Sequence, residues 1–188
     1  KGDAEMNKNV PNILTIARIV MVPFIILFYY LQFPGWNIYA AILFIIASFT
    51  DMLDGMIARK YDLVSNFGKL MDPMADKILV MAALIILLDW GKFGKFGGIV
   101  VFVLLAREFL ISSFRLIAAT SGVVIAAGKV GKLKTVVQLV GISIALLENP
   151  IFRIWNIPMG EILIYISTIL SIWSCIEYVA NNKELLRG

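Results

Sequence analysis

Residues 13–31 read ILTIARIVMVPFIILFYYL, nineteen residues interrupted by one charge, Arg18. At about 1.5 Å per residue such a run is long enough, as a helix, to cross the roughly 30 Å hydrocarbon core of a bilayer. It runs past the length of a cleaved leader and no small-residue cleavage site follows, so it is expected to remain as a span. Working outward, five further apolar stretches occupy 37–57, 73–89, 97–121, 135–147 with its flanks, and 158–181. Pro34-Gly35, Gly91 to Gly98, Gly128 to Gly131 and Asn149-Pro150 separate them, and these residue types stop or redirect helices.

With 60% hydrophobic residues and a mean hydropathy of +0.88 in 188 residues, a soluble core has no means of hiding the apolar surface. The expectation is an all-α integral membrane protein of six transmembrane helices. A short juxtamembrane segment covers 1–12, the membrane domain 13–181 and a cytosolic tail 182–188. Of the 17 Lys and Arg, twelve fall at the ends and loops of one side and only Lys92, Lys95 and Arg153 on the other. The positive-inside tendency makes the first side cytoplasmic, as for a multi-pass protein of the cell membrane. Trp36, Trp90 and Trp155 near span ends fit an interfacial belt.

The net charge of +4 is scattered between apolar runs, without the continuous basic stripe that nucleic acid selects. The single cysteine, Cys175, is read as helix packing and forms no intrachain disulfide. There is no histidine, which leaves carboxylates to carry any acid–base or metal chemistry.

Those carboxylates cluster. Residues 51–76 read DMLDGMIARKYDLVSNFGKLMDPMAD, with Asp51 and Asp54 an i,i+3 pair and Asp72 and Asp76 an i,i+4 pair, each on one helix face. A short loop turns the pairs toward each other at the cytoplasmic boundary. Four converging carboxylates repel one another unless cations neutralise them, and oxygen-only ligands favour Mg²⁺, Mn²⁺ or Ca²⁺ over zinc. Mg²⁺ is favoured on availability. The bare backbone of Gly55, the small surface of Ala58 and the turn at Gly68 let a pyrophosphate approach closely, and Arg59 offers a planar donor fork.

The pattern Asp51-xx-Asp54-Gly55-xx-Ala58-Arg59, eight residues, Gly68-xxx-Asp72-xxx-Asp76 resembles the full signature of the CDP-alcohol phosphotransferase family. That resemblance implies two metal ions held by Asp51, Asp54, Asp72 and Asp76, with Asp76 also the general base. It further implies a CDP site drawn from Asp51, Asp54, Gly55, Ala58, Arg59 and Gly68, and a homodimer.

Arg107 and Arg115 stand inside the fourth apolar run, two turns apart, where a cation costs roughly 2.5–3.5 kcal/mol on insertion scales. They are expected to face a cavity or to pair with Glu108 or another carboxylate. With Lys132 and Lys134 they form a basic set suited to an acceptor that carries phosphate. The stretch 106–138, AREFLISSFRLIAATSGVVIAAGKVGKLKTVVQ, and PNILTIARI near the N-terminus are similar to the bacterial phosphatidylglycerophosphate synthases. This implies CDP-diacylglycerol and sn-glycerol 3-phosphate as substrates. Acceptors such as inositol phosphate, serine or phosphatidylglycerol are the rivals within the family, and a cation transporter the rival outside it. Asn12, Thr15 and Arg18 fit either interface capping and snorkelling or nucleotide contact.

Overall fold

The computed structural model describes residues 10–61, 66–120 and 128–182, with the side chains of 13–50, 74–118 and 128–182. The described residues form six α-helices and no strand: α1 Val10–Leu31, α2 Trp36–Tyr61, α3 Asn66–Asp89, α4 Gly97–Thr120, α5 Lys129–Leu146 and α6 Met159–Asn181. Short 3-10 turns lie at Gly94–Phe96 and Phe152–Trp155. The all-α expectation is met. Helices and apolar runs do not coincide, however. The second helix continues four residues past 57 to Tyr61, and the third begins at Asn66 rather than 73, because hydropathy marks where a helix is apolar and not where its hydrogen-bond ladder ends. Gly131, read as part of a turn, lies inside α5. Residues 1–9 and 183–188, which hold most of the expected juxtamembrane segment and tail, fall outside the described residues.

Two compact units divide the chain, Lys1–Ile86 and Leu87–Gly188. In the first, α1 and α2 pair through a tight connection in which Gly35 has φ +80°. Thr15, Arg18, Val22, Ile25 and Tyr29 recur at three- and four-residue steps along α1 and are buried, as one helical face requires. The buried face of α2 is Ala40, Ala41, Phe44 and Ala47, of which the three alanines are small enough to let two helices approach closely. Tyr29 and Trp36 meet edge to face at 5.3 Å, which closes the pair at its connection.

In the second unit α5 and α6 are an antiparallel pair. Gly141 faces Leu163 and Ile164, and Gly160 sits against the backbone of Ala145. A Cβ on Gly160 would lie 2.7 Å from the Cα of Ala145, so a side chain there must push two backbones apart. Alanine in place of glycine gains up to about 1 kcal/mol of helix propensity, whereas overpacking costs about 1–3 kcal/mol. Gly160→Ala is therefore expected to lower the unfolding temperature of the detergent-solubilised protein. Gly98→Ala, which meets nothing within 4 Å, serves as the neutral control; equal melting of the two variants removes the close approach as a source of stability.

The turn between these helices is fastened by polar contacts. Asn149 donates from Nδ2 to Glu161 Oε2 at 2.9 Å, and its Oδ1 accepts from the Gly160 backbone N–H at 2.7 Å. Tyr165 Oη donates to the Phe93 carbonyl at 2.8 Å and ties α6 to the start of α4. Cys175 is partly buried with a free thiol, as expected of a packing residue.

Polarity runs the reverse of a soluble protein. Lys134, Gln138, Ser167, Ser171 and Ser174 are buried, while Tyr30, Phe102, Leu116 and Trp173 are each about two-thirds exposed or more. Ile13–Leu31 and Met159–Asn181 are long and apolar enough to cross a membrane, with hydropathies of 2.1 and 1.7, and α2 contributes a shorter apolar run, Trp36–Thr50.

Candidate active site

The acidic signature begins where the apolar run of α2 stops. Thr50 closes that run, and the helix carries on through Asp51, Asp54, Gly55, Ala58 and Arg59 to Tyr61. Helix α3 carries Gly68, Asp72 and Asp76 in its first three turns. Both acidic pairs thus lie within regular helix, where three- and four-residue spacing places each pair on one face. The side chains of 51–73 lie outside the described residues; that of Asp76 is half-buried and already engaged by neighbours.

Beneath this end of α2 lies Arg18. It is fully buried, and its Nε donates to the carbonyl of Ala47 at 3.3 Å, one helical turn before Asp51. Thr15, one turn away on α1, is fully buried as well. Neither side chain snorkels to an interface. The guanidinium is instead a permanent positive charge in the interior of the α1–α2 pair, a consequence of the small alanine face opposite it.

The basic residues of the second unit are divided by the fold. Arg107 on α4 donates from Nη1 to Glu108 Oε1 at 3.1 Å and from Nη2 to Ser174 Oγ of α6 at 3.0 Å. Lys134 of α5, 1% exposed, is bound to the same Glu108 oxygen. Gly131 leaves room for this arrangement, since a Cβ there would stand 3.1 Å from Arg107 Nη2. Arg107 and Lys134 therefore form one cluster with Glu108 and Ser174. Arg115 stands apart from it, exposed, with its guanidinium 5.9 Å from the ring centre of Tyr178, within cation–π range. Lys132 is exposed on the first turn of α5.

Glu108, Ser174 and Gln138 were not picked out by sequence as members of a site. Glu108 adjoins Arg107 and was legible only as its possible partner. The link to Lys134 joins positions 26 apart, and that to Ser174 positions 67 apart, separations with no linear signal.

The first unit thus carries Asp51, Asp54, Asp72 and Asp76 on two helices, and the second, described by itself, holds Arg107 and Lys134 against Glu108 and Ser174. Over 95% of its length the chain is 39% identical to the CDP-diacylglycerol–glycerol-3-phosphate 3-phosphatidyltransferase of Bacillus subtilis, covering 97% of that protein. With the enzyme of the same name from Rickettsia bellii the identity is 41%, over 96% of this chain and 98% of the relative. From Salmonella choleraesuis it is 32%, over 93% and 95%. The model of the CDP-alcohol phosphatidyltransferases matches residues 8–173, and the chain belongs to that family.

Proposed function

We propose that this protein transfers the phosphatidyl group of CDP-diacylglycerol to sn-glycerol 3-phosphate, releasing CMP and forming phosphatidylglycerophosphate. The observation that carries the reading is the nearly full-length likeness to relatives bearing that enzyme's name. It is joined by a complete acidic signature continuous with α2 and α3. A primary hydroxyl of the acceptor attacks the phosphorus next to the diacylglycerol, the bond from that phosphorus to the CMP oxygen breaks, and the hydroxyl proton passes to Asp76.

The donor set fits divalent metal, being all oxygen with neither imidazole nor a thiolate cluster in the chain. Asp51, Asp54, Asp72 and Asp76 would hold two ions, Mg²⁺ with Mn²⁺ as substitute, which when bound would offset the charge of the CDP pyrophosphate. Gly55, Ala58 and Gly68 give the nucleotide its close approach to the helices, and Arg59 meets it with its donor fork.

Arg107, Arg115, Lys132 and Lys134 receive the acceptor's phosphate. In the absence of that anion Glu108 keeps Arg107 and Lys134 oriented, so the two cations are held before the acceptor arrives. Arg115 is exposed and is free to swing onto the phosphate. Arg115→Ala is expected to raise the KM for glycerol 3-phosphate by about 10-fold, the loss of one charge-assisted hydrogen bond, with little change in the KM for CDP-diacylglycerol. An unaltered acceptor KM returns Arg115 to its stacking role on Tyr178.

All six helices span the bilayer, with the acidic ends of α2 and α3 in the cytoplasm and the protein acting as a homodimer. Support for the spans and their orientation comes from the exposed apolar and buried polar side chains and the one-sided distribution of Lys and Arg; the homodimer follows from the family resemblance alone. The deciding experiment is CMP release by the purified protein from CDP-diacylglycerol and a divalent ion, with each acceptor in turn. Stimulation by glycerol 3-phosphate is expected; stimulation by inositol phosphate, serine or phosphatidylglycerol in its place rejects the acceptor while keeping the family chemistry.

A further inference from the structure

The interior of the second unit contains more polar atoms than its ion pairs explain. Four buried side-chain atoms have no hydrogen-bond partner among the described residues: Arg107 Nε, Gln138 Nε2, Ser171 Oγ and Tyr178 Oη. Folded proteins leave few such atoms unpaired, and a hydrocarbon surround makes each one costlier.

Serine on a buried helix face normally returns its proton to a carbonyl one turn back. Ser167 and Ser174 do so, to Ile164 and Ser171 respectively, each over three residues. Ser171, between them in the same stripe and fully buried, does not. Gln138 is 2% exposed and brings an amide into a helix interface where a leucine of similar size would pack without cost.

The register of α5 against α6 sets these two on the same seam, one helical turn apart along it. Gly141 faces Leu163 and Ile164, and Gly131 faces the Arg107 guanidinium that donates to Ser174. In an antiparallel pair each step back along one helix is matched by a step forward along the other, which sets Gln138 and Lys134 across from Ser167 and Ser171. One turn beyond Lys134 on α5 and one turn beyond Ser174 on α6, the seam therefore presents Gln138 Nε2 and Ser171 Oγ, which have no hydrogen-bond partner among the described residues.

We propose that this seam receives the hydroxyl-bearing carbons of the phosphate acceptor, with Gln138 reading the acceptor's secondary hydroxyl and Ser171 as its second polar contact. Arg107 keeps Nε for the phosphate. The inference rests on the function proposed above and makes Gln138 a residue that sets which phosphate-bearing alcohol is used. A site built to hydrogen-bond a hydroxyl rejects the analogue lacking it far more strongly than an apolar pocket discriminates by size.

The test compares kcat/KM for glycerol 3-phosphate with that for 3-hydroxypropyl phosphate, which has the attacking primary hydroxyl and the phosphate but no secondary hydroxyl. The purified wild type is expected to prefer glycerol 3-phosphate by about 100-fold or more. In Gln138→Leu that ratio is expected to fall below about 10, and in Ser171→Ala to an intermediate value. A ratio unchanged in both variants overturns the proposal, whether their activities toward the two acceptors fall in parallel or their melting temperatures rise as a dry polar pair is removed. A wild type that uses glycerol 3-phosphate yet accepts the analogue equally well overturns the seam alone. A wild type stimulated only by a different acceptor rejects the function itself.

Discussion

Asp76→Asn is expected to lower turnover by about 10³-fold while CDP still binds with an affinity within a few-fold of wild type. The substitution preserves size but removes the negative charge proposed to take the acceptor's proton. It also weakens one of the four ligand positions proposed for metal, and the other three carboxylates are expected to keep CDP bound. Titration of the purified variant with CDP, beside single-turnover CMP formation, separates the two effects. Wild-type turnover would remove Asp76 from the chemistry, and parallel loss of binding and turnover would make it a structural ligand only.

The second large effect concerns stability. Glu108→Ala strips Lys134 of the carboxylate that it shares with Arg107. Lys134 has 1% of its side chain exposed, so its ammonium is left in the helix interface without that counter-charge. Breaking a buried pair from one side costs about 3–5 kcal/mol, and about 3 kcal/mol is expected here because Glu108 keeps 26% exposure. The double change Glu108→Gln with Lys134→Met removes both charges and is expected to recover most of the melting temperature, while acceptor use is expected to stay impaired because a cation proposed to bind the acceptor's phosphate is gone. If the double variant melts no higher than the single one, the pair does not hold these helices.

The helices were legible in the sequence because their signals are local. Nineteen apolar residues at 13–31, the turn at Pro34-Gly35 and the Gly-rich stretch 91–98 bound α1, α2 and α4 to within a few residues. Helix ends beyond the apolar runs were not, since 58–61 and 66–72 are polar and a hydropathy reading has no reason to include them. The acidic set was legible for the same local reason, its residues falling within 26 positions. The cluster of Arg107, Glu108, Lys134 and Ser174 was legible only in part. Arg107 and Lys134 stood out as cations near apolar runs, but that both turn to Glu108, while Arg115 turns to Tyr178, is set by the packing of α4 and α5 on α6. Arg18 shows the opposite limit: its position near a span end fitted either a snorkelling side chain or a nucleotide contact, and its burial against the alanine face of α2 sets the snorkelling reading aside.

The backbone contact of Gly160 with Ala145 fixes more than the strength of one helix pair. It sets the rotational phase of α5, and each residue of phase is about 100° around a helix axis. One residue inserted between Lys134 and Gly141 would swing the lysine away from Glu108 while the glycines stayed in place. The same insertion between 150 and 158, beyond the contact, would leave the lysine where it is. Natural variation in length should therefore accumulate in that outer turn and be purged from the first half of α5, so that a contact carrying no chemistry determines where the chain is free to grow.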